Sequence, residues 1–155
     1  MASIVQETIR EVNLGKVPSR LSLYEQMIDS AEPLFELDGI KLEEACKKQA
    51  KNLMYYDLML QECKTIEDTI KMKSDEVESQ AFKRLMEHSN RALGTRDIQQ
   101  YIKSEPQYIL AQEILLEIAQ IKRKLEAIVE ALKSMGWSIN NIVKLRIAQL
   151  EETIL

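Results

Sequence analysis

The chain has 155 residues, of which 45% are hydrophobic, 30% charged and only 5% aromatic, with a formal net charge of −4. That length supports one modest core rather than two, and high charge with few aromatics suits solvated helices better than a β-sandwich. A net acidic chain is no indiscriminate nucleic-acid binder, and no segment approaches the roughly 18 uninterrupted apolar residues of a membrane span. The first residues, with Glu7 and Glu11, lack the basic-then-apolar order of a secretory leader.

Taken in chain order, Ser3 to about Asn13 can form a short amphipathic helix on Ile4, Val5, Ile9 and Val12, which Asn13, Gly15 and Pro18 then break. A second short helix, roughly Leu21 to Ala31, uses Leu23, Met27 and Ile28 and ends before Pro33. Isolated helices of this length are marginal in water. Residues 1–36 therefore read as an N-terminal helical arm that needs a partner surface.

Residues 37–104 read as a long central helix followed by a basic corner. Asp38 offers an N-cap, and neither Pro nor Gly occurs between Ile40 and Leu93. Tyr56, Cys63, Ile70 and Val77 recur every seven residues, with Leu53, Leu60 and Ala81 on the companion line, which fails at Glu67 and Ser74. Gly94 and a Thr95 N-cap then lead a turn or two around Ile98, Tyr101 and Ile102.

Residues 105–155 read as a C-terminal helical hairpin. Ser104, Glu105 and Pro106 supply cap, acid and first-turn proline in that order. Ile114, Ile118, Ile121, Leu125, Ile128, Leu132 and Met135 then step by alternating fours and threes, with Leu115 and Val129 widening the stripe. In the run ALKSMGWSINNIVKLR, Ala131 to Arg146, Lys133 supplies positive charge in a last turn and Gly136 permits a left-handed C-cap. Trp137 can fold back, and Ser138 can cap a new helix carrying Ile139, Ile142 and Val143. The spacing predicts a sharp corner there and a last helix to about Thr153. The two helices together carry more apolar stripe than one partner helix covers. A homo-oligomer is therefore expected, with Ile118, Leu125, Leu132, Trp137, Ile139, Ile142 and Leu150 in the subunit interface.

Little catalytic chemistry is encoded. A single histidine, His88, and two cysteines supply no zinc-site pattern, and no Gly-rich loop precedes a Lys-Ser/Thr pair. The chain reads as a non-enzyme with no cofactor and no metal. Cys46 and Cys63 fall on one helix about 25 Å apart, beyond disulfide reach, and read as small core residues of a reduced, cytoplasmic protein. Charge is uneven: residues 83–103 carry five basic against two acidic side chains, and residues 1–36 three against six. Lys83, Arg84, Arg91 and Arg96 are therefore the candidate phosphate contacts, with Tyr101 offering a ring on which an unpaired base can stack. Lys122, Arg123 and Lys124 lie among Glu117, Glu126 and Glu130 and read as an ion-pair face.

The run from Ala131 to Arg146 resembles the C-terminal region of the UvsY family, recombination mediators of T-even-like phages, which share an A-x-K-S-x-G-(aromatic)-x-I-x-x-I-x-x-(L/M)-R order. Ala81 to Leu85 is similar to the family's apolar-Lys-x-Arg-apolar element, with Arg84 in register, Phe82 where the family has Lys, and Lys83 one step later. Leu34 to Leu42, and Asn52 to Tyr56 with Leu60 and Ile66, look like the family's preceding segments. The likeness runs from about Leu21 to Leu150 and is strongest after Pro106. It implies an all-α protein that forms closed rings of six or seven subunits in the cytoplasm of the phage-infected host. It further implies binding to single-stranded DNA and to the cognate single-strand binding protein, and help in loading a RecA-like recombinase. The residues alone leave another reading open, a helical scaffold or adaptor acting through coiled-coil contacts without DNA, which the interrupted 53–81 seam and the acidic arm suit.

Overall fold

A computed structural model describes residues 17–88 and 94–148. Every regular element among them is helical: α1 Val17–Asp29, a 3-10 turn Glu32–Phe35, α2 Leu42–His88, α3 Thr95–Lys103 and α4 Pro106–Ile147. The helix expected over 3–13, and Arg91 and Leu150, lie outside the described residues. No described helix is long and apolar enough to cross a membrane. The described residues divide into two compact units, one drawn from 17–22, 62–88 and 94–121 and the other from 23–61 and 122–148.

In the first unit, α2 and α4 run antiparallel. The Cys63 thiol lies 4.0 Å from the Ile118 carbonyl, and farther along α2 Ser74 accepts a hydrogen bond from Gln112 Nε2 at 3.2 Å. Cys63, Ile66 and Ile70 of α2 face Ile114, Ile118 and Ile121 of α4, all buried, and Leu21 of α1 is fully buried as well. The companion line of α2 keeps its inward direction through Glu67 and Ser74, which are buried despite being polar. Burying them is tolerable because each finds a partner: Glu67 pairs with Lys71 at 2.9 Å, and Ser74 receives the Gln112 amide. No buried side-chain polar atom of the described residues lacks a hydrogen bond.

In the second unit, α1 lies on both α2 and α4, and the 3-10 turn lies on α2. Tyr56 Oη donates to the Met27 carbonyl at 2.9 Å, and Lys124 of α4 approaches Glu25 of α1 at 3.8 Å. Burial pushes the Tyr56 phenol above its ordinary value, and neighbouring Tyr55 adds to the rise. Lys48 Nζ donates to the carbonyls of Pro33 and Glu36, satisfying groups that the short 3-10 turn leaves open. Asp38 is not the cap of α2. It belongs to a turn in which Ile40 N–H bonds the Leu37 carbonyl and Gly39 takes φ +74°, the left-handed value of a type II turn, so the helix starts later, at Leu42. Pro18, expected as a breaker, sits in the first turn of α1, where a missing N–H costs nothing. Cys46 is exposed, contrary to its expected core position, whereas Cys63 is buried; both are free thiols.

Among the described residues, the corner expected at Gly136 is absent. α4 continues through Gly136, Trp137 and Ser138 to Ile147 as one helix of 42 residues. The reason is visible in its buried line: Leu125, Val129, Leu132, Met135 and Ile139 stay inward without a phase break, so a corner at Gly136 would lift Ile139 out of the core. Val129 takes the inner position expected for Ile128, which is half-buried. Ser138, expected as an N-cap, instead directs its hydroxyl to the Ser134 carbonyl four residues back, at 3.2 Å. Gly136 serves packing. Gln49 Nε2 donates to the Leu132 carbonyl at 2.8 Å, and a Cβ on Gly136 would stand 2.8 Å from that same nitrogen.

The Gly136→Ala substitution therefore combines two opposing effects. Alanine adds about 1 kcal/mol of helix propensity but displaces the Gln49 amide and forfeits about 1 kcal/mol of hydrogen bonding. Melting of the single variant should stay near wild type. In a Gln49→Ala background the same change should raise Tm by about 2–4 °C. Equal destabilisation in both backgrounds, the response of a left-handed cap, would restore the corner.

Candidate nucleic-acid interface

The basic corner belongs to the first unit and rests on a small cluster of its own. Helix α3 has a strongly amphipathic pattern, and its Ile98 and Ile102 are buried on Ala81 of α2, with Phe82, Leu85 and Tyr108 closing around them. Gly94, not Thr95, is the N-cap. It takes an extended conformation, and its carbonyl accepts the amides of Asp97 and Ile98 at 3.0 and 3.1 Å. Ser104 closes the other end: its hydroxyl donates to the Tyr101 carbonyl at 2.6 Å, so it caps α3 and does not begin α4 as its sequence position suggests. With Ile98 and Ile102 turned inward, the opposite face of α3 presents Arg96, Gln99, Gln100 and Lys103, all exposed. Arg96, Gln100 and Lys103 stand at i, i+4 and i+7 and so share one stripe.

The four candidate phosphate contacts fare differently. Arg96 is exposed in the first turn of α3, and no ion pair to it exists among the described residues. Lys83 is exposed and unpaired on the same terms, yet it lines an open groove of about 470 Å³ whose other walls are Asp75, Glu78, Ser79 and Phe82. The two carboxylates lower the local potential felt by an anion. Arg84 is exposed but tied to Glu105, with which its Nη2 forms a close ion pair. Arg91 is not among the described residues. Tyr101 is 56% exposed on the flank of α3, its ring outside the core formed by Ile98 and Ile102. Lys103, Gln99 and Gln100 join the surface by position, and Glu105 joins it through Arg84. The last could not be found from sequence spacing, because 21 residues and a helix reversal separate the partners.

The arrangement is a cationic edge with amide donors and one exposed ring. Guanidinium, ammonium and amide groups suit phosphate and sugar oxygens, and a ring suits a base face. Among the described residues no group of three or more His, Cys, Asp or Glu side chains is placed to hold a metal. The run Lys122 to Lys124 is not part of this edge. Lys124 reaches Glu25, and Lys122 and Arg123 are also engaged.

The residues expected between subunits divide sharply. Ile118, in the first unit, and Leu125 and Leu132, in the second, have 0% exposure within the single chain, and Ile139 is also buried. Within the single chain these four are already covered, so the chain's own helices take up much of the apolar stripe that the sequence counted as surplus. Trp137, at 70% exposure, and Ile142, at 40%, do face solvent in the second unit, beside exposed Leu145 and Ile147. The outer side of the end of α4 is thus one exposed apolar patch among the described residues; Met54, Tyr55 and Leu58 of α2 and Leu116 of α4 are exposed as well.

The chain matches no model of a known protein family, and neither curated proteins nor solved structures contain a significant relative.

Proposed function

We propose that this protein is a recombination mediator, a non-enzymatic homo-oligomer that binds single-stranded DNA and helps load a RecA-like recombinase onto DNA covered by single-strand binding protein. The observation that carries the reading is the order of residues from Ala131 to Arg146, similar to the UvsY family run. The exposed Lys83, Arg96 and Tyr101 beside Lys103 are in keeping with it. The DNA work falls to Lys83, Arg84, Arg91 and Arg96, each neutralising phosphate, with Tyr101 as a stacking platform. One such corner is weakly cationic. A ring of six or seven copies repeats it, so that contacts too weak alone act together through effective concentration. Partner loading then needs no nucleotide hydrolysis, only different affinities for the DNA in its two protein-covered states. The site of action is the cytoplasm of the infected host.

A helical scaffold without DNA contacts is the second reading. It is favoured by the acids set among the bases, Glu105 on Arg84 and Asp75 and Glu78 beside Lys83.

Fluorescence anisotropy of a labelled single-stranded oligonucleotide, titrated at low and high salt, separates the two. A mediator binds tightly at low salt, prefers single strands to duplex and weakens steeply with salt. Arg96→Ala should lower affinity and flatten the log–log salt slope by about 0.7 at unchanged oligomer size. A folded protein that ignores DNA at low salt is the scaffold.

Assembly has its own reporter. Trp137 is the single tryptophan and is largely exposed in the isolated chain. As protein concentration rises and sedimentation shows larger species, its emission should move to shorter wavelength. Assembly with an unchanged, water-exposed spectrum would remove the end of α4 from the interface.

A further inference from the structure

Arg84 combines two properties that pull against each other. Its side chain is 60% exposed, open to an anion from solvent, yet it is held by the carboxylate of Glu105, whose side chain is only 26% exposed. The acid is fixed from its backbone outward. The Glu105 amide donates to the Ile102 carbonyl at 3.0 Å, its own carbonyl accepts the Ile109 amide at 3.0 Å, and Pro106 restricts it from the following position. Glu105 therefore cannot swing away with a loop. It also stands at the N-terminal end of α4, where the helix dipole and open amides favour a negative charge whether or not Arg84 is present. A carboxylate with this second source of stabilisation can lose its guanidinium partner without being stranded. Only Nη2 of Arg84 is seen to bond Glu105, so the fork has further N–H donors that this pair does not use.

We propose that Glu105 is an internal competitor for phosphate at Arg84, an anion mimic that keeps this arginine occupied until a polyanion displaces it. The proposal rests on the single-stranded DNA reading given above. Its consequence is selectivity. A half-exposed ion pair is weak enough to be displaced, but displacement succeeds only when the incoming strand also engages neighbours such as Arg96 and Lys103, so that one lost pair is offset by several contacts. Lone phosphates lack those additional contacts, and acidic surfaces of other geometry cannot make them at the same positions.

The test is a double-mutant cycle on the full chain, read by anisotropy of the labelled oligonucleotide, with Glu105→Gln, Arg84→Gln and both together. Gln keeps the size of Glu and leaves the backbone hydrogen bonds of residue 105 in place, and circular dichroism with a thermal melt confirms that each variant is folded. Glu105→Gln should tighten binding about two- to fivefold, the factor expected of such a pair, and the gain should vanish in the Arg84→Gln background. An equal gain in both backgrounds would reduce Glu105 to a general negative charge near the strand and overturn the proposal. So would no gain, or a loss, with Arg84 present. If neither the wild type nor Glu105→Gln binds at low salt, the DNA reading itself fails and the competitor role falls with it. DNA binding without coupling between the two sites defeats the competitor role alone.

Discussion

Burial of one continuous apolar line along α4 is the constraint on which the rest of this protein depends. From Ile114 to Ile139 its inward positions are almost entirely shielded from water within a single chain. Full burial of an Ile or Leu side chain is worth about 1.5–3 kcal/mol, against about 1 kcal/mol for a typical cap. The line therefore overrides the local signals at Gly136 and Ser138 that favour a break. A corner there would have gained a cap and lost the inward phase of Ile139, and the packing term is the larger of the two. Gly136 remains useful in the continuous helix because it has no side chain to keep Gln49 from the Leu132 carbonyl.

Polar residues on the inner side of α2 show the same economy at finer scale. Glu67 and Ser74 interrupt an otherwise apolar line but stay inward, each answered by a side chain within reach. Ser74 takes its hydrogen bond from Gln112 on the facing helix, a contact that a shift of either helix by one turn would break. Such a buried polar pair adds little stability and disfavours other registers. Along featureless apolar seams of Ile and Leu, register is the property most in need of a specific contact.

The cationic edge obeys a different balance. Its cations are surface groups, so their value to a ligand depends on which acids the fold brings beside them. Arg96 and Lys103 are exposed with no ion pair among the described residues, whereas Lys83 shares a groove with two carboxylates and Arg84 is paired with Glu105. The local excess of positive charge counted along the chain is thus partly cancelled in space. The proposed mediator function relies on repetition of this weak edge in an assembly and on ligands that touch several cations at once, which fits the charge distribution better than a single strong anion pocket would.

The helical class, the long α2, the proline-started α4 and the inward faces of both were all legible in the sequence, because heptad spacing and the absence of Gly and Pro act locally and along one chain direction. The basic segment around Lys83, Arg84 and Arg96 was legible for the same reason. Other features were not. Whether Ile118, Leu125 and Leu132 were covered by the same chain or by another depended on how much of α1 and α2 reached them, a matter of tertiary area. The packing role of Gly136 depended on Gln49, 87 positions away in the chain, and the pairing of Arg84 on Glu105 across a helix reversal. Tyr101 belonged to either core or surface until Ile98 and Ile102 had chosen the buried side of α3. Periodicity states which residues want to be buried and which are charged. Only folding decides what stands opposite each of them, because burial and ion pairing are interactions between positions that the sequence leaves far apart.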